Sequence, residues 1–97
     1  LPEAGRTREA LVRFALFVRD RLVPETRSTT DAPERPYWLA DDFLRATALL
    51  LMAWAWERVA ATPQAPAGTP QAANAFWRWV WPEFDMRLGM LNATLSS

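Results

Sequence analysis

Two polar, proline-rich segments decide how this chain can fold: residues 24–36 (PETRSTTDAPERP) and residues 62–70 (TPQAPAGTP). Each proline fixes φ and removes a backbone donor, so an apolar run entering either segment should end there. Between and around them lie three apolar runs rich in Ala, Leu, Arg and Glu. They are long enough for helices and poor in strand-type alternation. The expectation is an all-α chain with helices over about 2–23, 37–61 and 70–95, joined by linkers over 24–36 and 62–69. Three helices in 97 residues make one domain, a three-helix antiparallel bundle.

Periodicity assigns a face to each helix. In the first, Leu11, Phe14, Val18 and Leu22 recur at helical spacing, broadened by Val12, Leu16 and Val23, with a Glu9–Arg13 pair on the other side. In the second, Leu39, Phe43, Leu50 and Trp54 face inward, and Asp41, Asp42 and Arg45 face outward. The positions that would continue that polar stripe are Leu49, Met52 and Trp56, so the middle of this helix is apolar all round. The third should start with Thr69 as N-cap and Pro70 at its first helical position. It carries a long face from Trp77, Val80, Trp81 and Phe84 to Leu88, Leu91 and Leu95, with a second stripe of Trp79, Met86 and Met90. Pro82 falls inside this run, and because the main face keeps its phase across it, a bend is expected there rather than a straight helix.

A helix that is apolar all round needs covering on every side, and a three-helix bundle offers it two neighbours. Leu49, Met52, Trp56, Trp79, Met86 and Met90 are therefore the interface candidates. The expected partner is the remainder of a larger polypeptide or another protomer in a homo-oligomer. The chain begins at Leu1 rather than Met, which fits a fragment or a processed product.

Composition narrows the function classes. Eleven Arg balance eleven Asp and Glu for a net charge of zero, so the phosphate attraction needed by nucleic-acid binders is missing. The chain has no Cys, His or Lys, which removes thiolate and imidazole metal sites, Cys or Ser/His nucleophiles and Schiff-base chemistry. No catalytic, cofactor-binding or metal-ligating residue is expected. Asp41 and Asp42 are adjacent carboxylates about 100° apart on a helix, and Asp41–Arg45 and Glu83–Arg87 read as solvated i,i+4 pairs. The segment Phe76-Trp77-Arg78-Trp79-Val80-Trp81 reads as core and protein-interface packing rather than a base-stacking platform or a membrane-surface element. The longest apolar stretch, Ala46 to Trp56, is shorter than the roughly 20 residues a membrane span needs. Zero cysteines fit a reducing cytoplasm.

The order Tyr37-Trp38, then Trp54-Ala55-Trp56, then Trp81-Pro82-Glu83 resembles the C-terminal helical extension of a subset of acyl-CoA dehydrogenases. The resemblance runs from Leu11 to Leu95 and departs at Met52-Ala53, where a Gly-Gly step is common in that family. It implies an accessory helical domain of an FAD-dependent enzyme that introduces a double bond into an acyl-CoA. The flavin contacts and catalytic Glu would lie outside this chain. Two other readings stand beside it: a free-standing helical interaction protein or small subunit, and a bundle holding an apolar ligand between Trp-lined helices.

Overall fold

The computed structural model describes residues 5–27 and 35–96. Its elements are α1 (Arg6–Phe17), a π turn (Val18–Leu22), α2 (Val23–Arg27), α3 (Arg35–Ala60), α4 (Thr69–Ala75), a second π turn (Phe76–Val80) and α5 (Pro82–Ser96). They run end to end as three helical rods, and the described residues contain no strand. Thr7 meets Glu57, and Phe14 stacks on Phe43 at 5.7 Å, so the first rod is antiparallel to α3. Trp56 meets Phe76 at 6.2 Å, and Asp42 meets Arg87, so α3 is antiparallel to the third rod. Arg13 to Asp85 and Arg21 to Asn92 complete an up-down-up bundle.

The prolines behave differently from expectation. Pro24 does not end the first helix, which continues through α2 to Arg27, and Arg35 and Pro36 already belong to α3. The expected start near residue 2 and the middle of the first linker, residues 28–34, lie outside the described residues. Pro24 and Pro82 occupy equivalent settings. In each case the residue just before the proline donates a widened i→i−5 bond, Val23 to the Val18 carbonyl and Trp81 to the Phe76 carbonyl. A proline in a regular α-helix collides with the carbonyl four residues back and cannot donate to it. Widening the preceding turn moves that carbonyl row aside, which lets helical backbone continue. Pro82 thus interrupts the third helix with a π turn rather than a loop, and α5 restarts with Pro82 as its first residue.

The π turn in the first rod also corrects register. Phe14 and Leu22 are eight residues apart, which places them about 80° apart on a straight α-helix. The wider turn takes up that difference, and both side chains are buried. The third rod opens one residue earlier than expected. Gly68, at φ 90°, is the N-cap, and the Thr69 hydroxyl donates back to the Pro66 carbonyl at 2.7 Å instead of capping the helix. A positive φ suits Gly at this junction.

The core has two layers. A larger one joins Ala10, Phe14, Leu50, Ala53, Trp77 and Phe84 with their neighbours, and a smaller one joins Leu22, Leu39 and Leu91. Val18, Phe43 and Leu88 pack against both layers. Trp81 lies flat on Phe84 with ring centres 4.7 Å apart, and Phe14 meets Phe84 edge-on at 5.9 Å. The inner face of α1 is rotated from the expected one: Thr7, Ala10 and Phe14 are buried, while Leu11, Val12 and Leu16 are exposed. On α3, Ala46 and Ala53 are fully buried, and Trp54 points outward at 54% exposure. Alanine at the inner positions lets helices approach closely, and that selects a face which a count of large apolar residues misplaces.

Candidate interaction surfaces

The densest polar arrangement links α3 to α5. Arg87 on α5 donates to Asp42 at 2.9 Å and to Glu83 at 3.0 Å, and it lies 3.6 Å from Asp41. Arg45 joins from α3 at 3.5 Å to Asp41 and 4.0 Å to Glu83. The expected Asp41–Arg45 and Glu83–Arg87 pairs are both present as parts of this network. Asp42 is the correction: it is buried rather than outward, because Arg87 arrives from the neighbouring helix to receive it. Hydrogen bonds from Arg87, first to Asp42 and then to Glu83, hold its guanidinium above its ordinary pKa. Every carboxylate in the network faces a guanidinium, so none is placed as a free proton acceptor. Its chemistry is that of an interhelical clamp.

Elsewhere the first rod and α5 meet through polar groups at the surface. Arg13 reaches Asp85 at 2.8 Å instead of pairing with Glu9, and Arg21 donates to Asn92 at 2.7 Å. Within the first rod, Arg19 and Asp20 hydrogen-bond at 2.8 Å, which lowers the Asp20 pKa and raises that of Arg19. Among the described residues, no group of three or more acidic, His or Cys side chains converges on a common metal position.

The six interface candidates divide. Leu49 is buried, and Trp56 is half-buried against the larger core layer, where it packs on Phe76. Those two side chains are used by the fold itself. Met52, Trp79, Met86 and Met90 remain exposed, Trp79 at 73%. In the Trp-rich segment, Phe76, Trp77 and Trp81 are core, while Arg78, Trp79 and Val80 are exposed, with the Arg78 guanidinium 5.0 Å above the Trp79 ring. Sequence reasoning missed Leu44 and Leu51, the most exposed large aliphatic side chains of α3 at 65% and 62%. The spacing of Leu44, Ala48, Leu51 and Ala55 carries the signal, which two intervening alanines weaken.

A cleft of about 890 Å³ opens where the 61–68 loop passes the ends of α3 and α4. Trp56 and Trp77 form its aromatic walls, several Ala and Pro residues its rim, and Glu57, Thr69, Gln71 and Asn74 its polar groups. Nearby, the Thr7 backbone N–H donates to the Glu57 carboxylate at 3.3 Å, and Arg6 stacks over Trp77 at 5.1 Å. No described helix is long and apolar enough to cross a membrane. The chain matches no protein family, no curated protein and no solved structure.

Proposed function

We propose that this chain is a non-catalytic helical docking module that joins a larger assembly through apolar side chains left outside its core. The observation that carries the reading is the exposure of large apolar residues on all three rods: Leu11 and Leu16 on the first, Leu44 and Leu51 on α3, Trp79 and Met86 on the third. Large apolar side chains left open to water on each rod of so small a domain are what a binding face would use, as on α3, where Leu44 and Leu51 share one helical stripe. The charged residues support the same reading, because the α3–α5 network commits its carboxylates to arginines.

A narrower reading makes the module a helical extension of an acyl-CoA dehydrogenase-like flavoenzyme, with FAD held elsewhere in that enzyme. What supports it is the order of Tyr37-Trp38, Trp54 and Trp81-Pro82, together with the outward position of Tyr37, Trp38 and Trp54, where side chains could pack on a neighbouring domain.

Sedimentation and an apolar fluorescent dye test the docking reading. The chain should bind the dye, and Met86→Glu with Met90→Glu should reduce binding while leaving helicity intact. A chain that stays monomeric and binds no dye would overturn it. For the narrower reading, the natural product should be a much longer polypeptide with flavin absorbance, and a natural product of this length without flavin would rule it out.

A further inference from the structure

The outer face of α3 is arranged to meet its own copy. At about 100° per residue, Asp41, Leu44, Ala48, Leu51, Ala55 and Arg58 fall on one stripe about 100° wide. It lies opposite the buried face of Leu39, Ala46, Leu50 and Ala53, and all six of its members are exposed. The stripe is symmetric about the point midway between Leu49 and Leu50. Leu44 lies as far before that point as Ala55 lies after it, and the same holds for Ala48 with Leu51 and for Asp41 with Arg58.

We propose that this stripe is the interface of a two-fold symmetric homodimer in which the α3 helices of two copies pack antiparallel. This rests on the reading of the chain as a docking module and names its partner. The two-fold axis sets each Leu against an Ala of the other copy, so large and small side chains interdigitate across a close helix contact. It also sets each Asp41 against an Arg58 of the other copy. A parallel pairing would instead place Asp41 against Asp41 and Arg58 against Arg58. Arg58 is held at the end of the stripe by stacking on Trp54 at 5.1 Å, and Asp41, whose oxygens face Arg45 at 3.5 Å and Arg87 at 3.6 Å, keeps 69% of its side chain exposed, which leaves room for a third guanidinium.

Flanking Met52, Trp54 and Val59 extend the face with further exposed apolar side chains. In the dimer α3 occupies the centre of six rods. That placement covers the helix whose sequence is apolar on every side.

Because the chain has no cysteine, cross-linking reads the register cleanly. The full chain, of 11.1 kDa, should sediment at twice that mass, and Leu51→Glu should return it to a monomer with unchanged far-ultraviolet circular dichroism. An equal mixture of Leu44→Cys and Ala55→Cys chains should form disulfide-linked pairs. Either variant alone should not, since its two cysteines would be offset by about 16 Å along the helices, beyond disulfide reach. Faster cross-linking of Leu44→Cys with itself would overturn the antiparallel register. A dimer that survives Leu51→Glu would move the interface to another face and overturn the proposal. A monomer at about 100 µM that still binds an apolar dye would overturn the dimer while leaving the docking reading standing, and a monomer that binds none would overturn both.

Discussion

Arg87 is the residue on which the polar part of the fold turns. Its side chain is 19% exposed and that of Asp42 is 11% exposed, so removing the guanidinium leaves a nearly buried carboxylate without its closest partner. Losing one member of such a pair costs more than the pair itself contributes, because the remaining charge is still desolvated. Arg45, 56% exposed, has water as a substitute partner. Arg87→Gln should therefore lower the thermal midpoint by several degrees and Arg45→Gln by little, and equal effects would show that the burial of Asp42 has no energetic consequence. The pH dependence follows from the direction of the Arg87 shift. A pKa raised on folding gives stability that is complete below the unfolded value and is lost only as pH rises through the higher folded value. The difference between the wild-type and Arg87→Gln midpoints should accordingly stay constant between about pH 6 and about pH 9. The i,i+4 spacing of Glu83 and Arg87 is legible in the sequence. The bond from Arg87 to Asp42, 45 positions away, is not, because it depends on which faces of α3 and α5 meet.

At the scale of the elements, the two π turns explain why proline was a good guide to one boundary and a poor guide to another. The second proline-rich segment separates α3 from α4 as expected, since its prolines follow the end of α3 and alternate with turns, such as the Ala65 N–H to Thr62 carbonyl bond. Pro24 and Pro82 each follow a widened turn and remain within helical rods. Nothing in the local composition distinguishes these cases, because the widening is stabilised by burial of Leu22, Phe76 and Trp77 against other rods. The same dependence on neighbours misplaced the inner faces of α1 and α3: Ala10, Ala46 and Ala53 contribute little to an apolar pattern, yet they sit where the helices approach one another. Pro82→Ala supplies the missing donor and allows an ordinary α turn. A proline in a regular helix interior costs about 3 kcal/mol relative to Ala; here the π turn already absorbs most of that cost. The variant should gain much less than this in denaturant unfolding, and its near-ultraviolet circular dichroism should change as the stack of Trp81 on Phe84 shifts. A full gain with an unchanged aromatic spectrum would show that Pro82 is strained in place.

The described residues form a rod of 54 × 20 × 17 Å with a radius of gyration of 15.9 Å, against about 13 Å for a compact domain of about 100 residues. A slender bundle has much surface for its volume, so a chain with 51% apolar residues leaves many of them outside. Its two core layers share Val18, Phe43 and Leu88, which couples the ends of the rod into one unfolding unit. Association through α3 would add stability that depends on mass action, because dimerisation draws on the folded state and not on the unfolded one. A tenfold rise in concentration changes the dimer's free energy by about 1.4 kcal/mol, or about 0.7 kcal/mol for each chain. For a domain of this size that corresponds to a rise of about 3–5 °C in the thermal midpoint. Scanning calorimetry across a tenfold concentration range should show this rise in the wild-type chain and a constant midpoint in Leu51→Glu. The Glu side chain lies on a face already open to water in the single copy, so the variant should retain a cooperative transition. A wild-type midpoint independent of concentration, with a dimer still present by sedimentation at the transition temperature, would mean that the two copies unfold without separating.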